Sequence, residues 1–200
     1  VQTCALPIFI STEHAHLLFL NHLESNVHGP QGVATIQLDI ASAYDRVWHP
    51  ALLQNLLDKH FPLYLCKIVQ SFLRDRVLSM LYANGSASKT LSLSVPQGAV
   101  LSPFLWKVFM DPLHSRLDEL KFLFKIAFAD DNTLSIVYKK KKCHDIQQKM
   151  DLVFQIVESW CHSHKASINI IQSTLVCFQR GSHLDTTLHT ALGASNLHTL

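Results

Sequence analysis

The chain's hydrophobic positions fall into two periods. Val33 to Ile40 (VATIQLDI) is rich in β-branched and aliphatic residues, which predicts a strand carrying Asp39 near its end. From about Pro50 to Arg74 the apolar spacing turns helical, with a break expected at Phe61-Pro62. Val77 to Tyr82 and Thr90 to Val95 read as strands flanking the turn dipeptide Asn84-Gly85. Ser102-Pro103 predicts a helix start, the serine at the cap and proline at the first position. That helix is expected to end near Asp111, because Pro112 removes a donor and crowds the preceding turn. Phe122 to Ala129 and Thr133 to Tyr138 predict a hairpin around Asp130-Asp131-Asn132. Ile146, Met150, Val153, Val157 and Trp160 recur at helical spacing, which makes 145–162 an amphipathic helix. Ala166 to Ile171 and Thr174 to Phe178 are expected as short strands. The order is α+β and fits a split βαβ core carrying extra elements.

Composition narrows the classes. With 200 residues and 48% hydrophobic content, the chain can bury one ordinary core. No apolar run reaches the roughly 18 to 20 residues needed to cross a bilayer. Val1 to Ile10 lacks a basic secretory start and the chain does not open on Met, so it reads as a piece of a longer protein. A formal charge of +2 carries no argument for nucleic acid. The local excess is Lys139 to Lys142, ordinarily a solvated turn and alternatively a phosphate contact. Five scattered cysteines suggest a reducing compartment, hence an intracellular protein. Cys161, His162 and His164 lack the fourth short-spaced ligand of a structural zinc site. Nothing in the sequence speaks to oligomeric state.

The chemistry lies in the carboxylates. Asp39 sits at a strand end, and Asp130-Asp131 sit between two hydrophobic strands. Each site alone reads equally as turn-forming aspartate. Brought together, three carboxylates would resist ionisation unless divalent cations neutralised them, and hard oxygen ligands select Mg²⁺ or Mn²⁺. Two such ions about 4 Å apart suit nucleotidyl transfer.

The surrounding residues carry a resemblance. Leu38 to His49 (LDIASAYDRVWH), Val95 to Pro103 (VPQGAVLSP) and Phe128 to Asp131 (FADD) occur in that order. They resemble the first catalytic motif, the proline-glutamine-glycine motif and the aromatic-Ala-Asp-Asp box of non-LTR (LINE-type) retrotransposon reverse transcriptases. Weaker similarity runs from about Ser11 to Phe178. The resemblance implies a polymerase palm (split βαβ, ferredoxin-like core) with part of the fingers and without the thumb. Residues 1–32 would be a partial fingers segment, 33–180 the palm, and 181–200 a tail leading towards the primer grip. The implied activity is RNA-directed DNA synthesis: two-metal transfer from a dNTP to a DNA primer 3′-hydroxyl on an RNA template. Asp39 and Asp130 would hold two Mg²⁺ (Mn²⁺ as substitute), Asp131 would support them, and the Ile40 carbonyl would join the coordination. Tyr44 matches the aromatic gate that crowds a ribose 2′-hydroxyl. Gln97 and Gly98 match the loop against the incoming nucleotide, glycine permitting close backbone approach. Trp48, Trp106 and Trp160 read as core aromatics rather than base-stacking platforms. A metal-dependent phosphohydrolase using the same aspartates would leave Val95 to Gly98 without a role. Nucleus or cytoplasm of a host cell is the expected location.

The chain also departs from the family pattern. Leu6 to Ser11 (LPIFIS) lacks the family's arginines, and Ser94 stands where glycine commonly precedes the Val-Pro-Gln-Gly run. Lys107 and Pro112 are unusual in the following helix. Gln172 occupies the place of a family lysine that could donate a proton to pyrophosphate, which a neutral amide cannot do. These departures give the alternative expectation: a catalytically inactive remnant that keeps the palm fold and binds RNA weakly.

Overall fold

A computed structural model describes residues 11–83, 85–128, 130–139, 143–179 and 197–199. In chain order the elements are α1 (Thr12–Asn26), β1 (Gln31–Leu38), α2 (His49–Asp58), α3 (Leu63–Leu73), β2 (Val77–Tyr82), β3 (Gly85–Thr90), α4 (Ser102–Asp118), β4 (Leu123–Phe128), β5 (Asp131–Lys139), α5 (Cys143–His164), β6 (Thr174–Gln179) and β7 (Leu197–Thr199). A 3₁₀ turn, Ala43–Arg46, separates β1 from α2.

β1 is the middle of the main sheet, whose strand order is β4-β5-β1-β6-β7. It pairs antiparallel with β5 on one edge (Gln31 opposite Lys139, Leu38 opposite Asn132) and with β6 on the other (Gly32 opposite Gln179, Gln37 opposite Thr174). β1, helices, β4, β5, α5 and β6 in this order form the split βαβ, ferredoxin-like arrangement that the sequence predicts. β7 adds in parallel outside β6. Gly32 is required by packing: a Cβ there would lie 2.7 Å from the ring of Tyr138, its cross-strand partner.

One face of the sheet carries Ala34, Ile36, Leu38, Leu134, Ile136 and Cys177 into a core completed by α2, α4 and α5. The predicted spacing of α5 holds, with Ile146, Met150, Val153, Val157 and Trp160 at most 1% exposed. Trp160 meets Phe109 of α4 edge-on at 5.6 Å, and Phe109 meets Trp106 at 5.9 Å. Trp106 and Trp160 are therefore core aromatics. Trp48 is half-buried under the Lys165 ammonium, 4.2 Å from its ring centre.

The other face is crossed by α1, which was missing from the elements predicted by periodicity. Ser11 caps it by accepting from the His14 N–H. Ala15, Phe19, His22 and Asn26, at steps of four, three and four, are half-buried. Phe19 meets Phe178 of β6 at 5.8 Å, and His22 stacks on Phe124 of β4 at 3.9 Å. No α1 residue is fully buried.

Four other expectations are corrected. β3 starts at Gly85 and ends at Thr90, so 90–95 is no strand; Tyr82 pairs with Gly85 and the turn is Ala83-Asn84, whose second residue lies outside the described residues. Asp131 and Asn132 belong to β5, because Phe128 pairs with Asp131; Asp130 stays in the turn, and Ala129 lies outside the described residues. The 166–171 segment makes one isolated bridge, Ile168 to Ile40, before chain reversal at 170–172. The Ser102 hydroxyl donates to the Pro96 carbonyl at 2.6 Å, closing the preceding loop instead of capping α4. The expectations for Leu6 to Ile10, Lys140 to Lys142 and most of the 181–200 tail fall outside the described residues.

The fifth correction has a clear physical cause. α4 runs through Pro112 to Asp118. Pro112 has no N–H for the Val108 carbonyl, which would be orphaned in the core. The side chain of Asn55, on α2 and only 6% exposed, supplies the replacement. Its amide nitrogen donates to Val108 O at 3.2 Å and lies 3.3 Å from Phe109 O. The same amide reaches His164 Nε2 at 3.4 Å, and His164 Nδ1 donates to Trp160 O at 3.2 Å. A helix break is avoided by a donor from another helix.

Asn55→Leu should therefore lower unfolding free energy by about 2 kcal/mol, the cost of an unpaired buried carbonyl. Adding Pro112→Ala restores an intrahelical donor, so urea unfolding of the double variant should recover part of that loss. His114 supplies a pH test. Burial, then the Lys125 charge, lowers its pKa from 6.5 to about 4. Between these values the unfolded chain binds more protons, so stability falls as pH drops from 6.5 towards 4, by about 3 kcal/mol at most. In His114→Leu the stability difference between pH 7 and pH 4.5 should shrink.

Candidate functional site

Extending the β1–β5 register one step beyond Leu38 and Asn132 places Asp39 opposite Asp131, with Cα atoms about 5 Å apart. Opposed residues share a face, so Asp39, Asp131 and Phe128 all point towards α1. Asp130 occupies the turn beside them. The electrostatics report the convergence: the Asp131 carboxyl is held above its usual range by burial, then by the charges of Asp130 and Asp39. Tyr44 is raised by burial and then by Asp130, which places its phenol beside the same turn. Its ring stacks on Trp106 at 5.6 Å.

The backbone around Asp39 sorts its two neighbours' roles. Asn169 N–H donates to Asp39 O at 2.9 Å, and Ala41 N–H donates to Ser167 O at 2.9 Å. In such an antiparallel bridge the intervening residue turns its own N–H and C=O to the opposite edge. The Ile40 carbonyl accordingly faces the Asp130 side.

A cavity of about 330 Å³ opens between α1 and this end of the sheet. Thr12, His16 and Phe19 line it from the helix, Asp39 and Asp131 from the sheet, and Gln172 from the 170–172 reversal. Gln172 accepts from the Asn169 side-chain amide.

Gln97 and Gly98 stand apart from that cavity, exposed on the loop between β3 and α4. The loop is fastened to the motif that carries Tyr44. Val95 N–H donates to Tyr44 O at 2.8 Å, Ser94 N–H donates to Val47 O at 3.0 Å, and Gln97 reaches Asp45 at 3.4 Å. Gly98 has φ +83°, a conformation that favours glycine, and a Cβ there would meet nothing within 4 Å. Space is left open above that backbone.

Among the described residues, no three His, Cys, Asp or Glu side chains form a group that could hold a metal ion as placed. Asp131 is exposed and Asp130 half-buried in the turn, so these two carboxylates retain freedom to turn. The donor set is all oxygen and mutually repulsive, which matches a hard divalent cation in kind. Sequence reasoning missed α1's residues and Ser173. The Ser11 cap and the 15-19-22-26 spacing were a signal for the first; a buried hydroxyl gives none.

A family model described as reverse transcriptase (RNA-dependent DNA polymerase) matches residues 6–189. The chain is 34% identical over 132 residues to the RNA-directed DNA polymerase from mobile element jockey of Drosophila melanogaster, covering 62% of this chain and 14% of that protein. It is 28% identical over 147 residues to the probable RNA-directed DNA polymerase from transposon BS of the same species, covering 70% and 16%. It spans about a seventh of the length of these curated relatives. Apo telomerase from Candida tropicalis, truncated from its C-terminal domain, superposes at TM-score 0.58 and 18% identity, covering 86% of this chain and 36% of that one. The C. tropicalis telomerase in complex with a TWJ fragment of telomeric RNA also gives 0.58, at 17% identity over 86% and 30%. At such identities the likeness shows the fold alone. Neither the match nor the relatives support the expectation of an inactive remnant.

Ser94 tests the loop's geometry. Its φ of +85° lies in the left-handed region, held by Arg76 and His49, which both donate to its carbonyl (3.0 and 2.8 Å). A side chain there is strained by about 1–2 kcal/mol, partly offset in a glycine variant by greater unfolded-state freedom. Ser94→Gly should raise unfolding free energy by roughly 0.5–1 kcal/mol, read by thermal or urea unfolding.

Proposed function

The chain belongs to the reverse transcriptase (RNA-dependent DNA polymerase) family, as a partial palm-and-fingers domain of the non-LTR, LINE-type kind, and we propose that Asp39, Asp130 and Asp131 are its polymerising carboxylates. The observation that carries this reading is the register that sets Asp39 opposite Asp131 with Asp130 in the adjoining turn, where the Asp131 carboxyl is held above its usual range by burial and then by the other two charges. Like charges gathered on a rigid scaffold are costly without a counter-ion. Asp39 and Asp130 would hold Mg²⁺ or Mn²⁺, with Asp131 supporting and the Ile40 carbonyl available on the same side. Two such ions would supply activation of a primer 3′-hydroxyl and neutralisation of the departing pyrophosphate.

The remaining roles belong to the chain's own residues. Tyr44, stacked on Trp106 and within reach of the Asp130 charge, would exclude a ribose 2′-hydroxyl and so favour dNTPs. Gln97 and Gly98 would lie along the incoming nucleotide, tied to Tyr44 through the Val95 hydrogen bond. RNA template and DNA primer are the proposed polymeric partners. Membership of an RNA-dependent DNA polymerase family supports the template. Division into fingers (1–32), palm (33–180) and tail (181–200) and an intracellular location accompany the reading. No helix among the described residues is long and apolar enough to cross a membrane.

Primer extension tests it. The 200-residue chain, given an RNA template, a DNA primer, dNTPs and Mg²⁺, should add deoxynucleotides. Chelation should abolish addition, and Asp39→Asn or Asp130→Asn should lower it by about a hundredfold or more. Metal-dependent extension that persists in Asp130→Asn sinks the assignment, as does failure of the unaltered chain to extend in either Mg²⁺ or Mn²⁺.

A further inference from the structure

We propose that Ser173 is the positioning residue for Asp39, fixing the direction of its carboxylate through a buried hydroxyl that replaces a strand partner. The inference rests on the reading of Asp39 as a cation ligand and adds what holds it in place.

The β1–β6 ladder ends where Gln37 faces Thr174. Continued in register, it would set residue 172 opposite Asp39, and a backbone carbonyl would receive the Asp39 N–H. The chain instead reverses at 170–172, carrying Gln172 to the cavity and leaving that N–H without a backbone acceptor. Ser173, 4% exposed, fills the gap. Its Oγ accepts from Asp39 N–H at 3.2 Å and donates to Asn169 O at 2.8 Å. Asn169 N–H donates back to Asp39 O at 2.9 Å. Asp39 N–H, Ser173 Oγ, the Asn169 peptide and Asp39 O thus close a ring. Both peptide groups flanking the Asp39 Cα are fixed, and with them the bond along which its carboxylate leaves the strand.

The hydroxyl is needed because it both accepts and donates. Alanine would strand the Asp39 N–H and remove the hydroxyl's bond to Asn169 O, which would keep only the backbone N–H groups of Gln172 and Ser173. Threonine keeps both bonds. Outer groups that orient a metal ligand are typically worth 10–100-fold in affinity, which separates positioning from general stability.

The test is Mn²⁺ affinity of the full chain, by electron paramagnetic resonance titration, with amide hydrogen exchange on the same samples. Asp39→Asn should weaken Mn²⁺ binding more than any other variant. Ser173→Ala should weaken it about 10–100-fold and Ser173→Thr should restore it to within about threefold. Exchange at the Asp39 amide should quicken in Ser173→Ala while Ala34 and Ile36 keep their protection. Thr35→Val removes another buried β1 hydroxyl, 2.9 Å from Ser135 Oγ. Its affinity should match the unaltered chain even where its stability drops. If Ser173→Ala does not fold, Ser173→Cys, with a poor acceptor of similar size, carries the same expectation. Unchanged affinity in the Ala or Cys variant, or no rescue by Thr, overturns the positioning role while leaving the carboxylate site standing. Unchanged affinity in Asp39→Asn overturns the cation reading, and the positioning role with it.

Discussion

The register of β1 between β5 and β6 is the constraint on which the rest of the structure depends. A central strand in an antiparallel sheet must match both neighbours at once, and a slip of one residue on either edge would turn every side chain over. Here the alternation sends Ala34, Ile36 and Leu38 to the helical core and Thr35, Gln37 and Asp39 to the face under α1. The core face cannot exchange with the other without burying Gln37 and Asp39 among leucines, which is prohibitively costly without partners. Hydrophobic pairing thus fixes which way a carboxylate points, and the β4–β5 turn delivers Asp130 and Asp131 to the same end. Site geometry is inherited from core packing.

The second half of the site is fastened to the first by backbone hydrogen bonds. The N–H groups of Val95 and Ser94 donate to the carbonyls of Tyr44 and Val47, so the loop bearing Gln97 and Gly98 is fastened to the Asp39 motif. α4 begins where that loop ends, and its Ser102 hydroxyl is spent on Pro96. A helix whose cap serves the loop, and whose interior contains Pro112, depends on tertiary support. Asn55 provides it, joining α2, α4 and the α5 terminus through one side-chain amide. Local propensity is sacrificed there, and the deficit is made good by neighbours.

This explains what the sequence revealed and what it concealed. α5, β1 and the α2–α3 break were legible because each follows from one local signal: a helical period, a run of β-branched and aliphatic residues, and a single proline. The extension of α4 through Pro112 was not, because the compensating donor lies 57 positions upstream. α1 escaped because it packs on a mixed face of Phe, Thr and Gln, and its own stripe includes His22 and Asn26, so its apolar signal is weak. The predicted strand at 166–171 was spoiled by the reversal that carries Gln172 to the cavity. Asp39, Asp130 and Asp131 looked like ordinary turn residues until the neighbouring motifs gave them order. Ser173 could not have been found, since a serine before a strand is indistinguishable in sequence whether its hydroxyl meets water or a buried N–H.

The division of labour among the carboxylates follows from the same geometry. Asp39 is the constrained member, with both flanking peptides bound by the 167–173 segment. Asp130 sits in the turn before β5, and Asp131, the most exposed of the three, bears the upward pKa displacement. A cation entering this end would meet one rigid ligand and two that can turn. On the proposed reading, rigidity on the first strand would set where an ion sits, and latitude in the turn would let the remaining oxygens close around it. Such an arrangement would tolerate variation at Phe128 more readily than any change that loosens the end of β1.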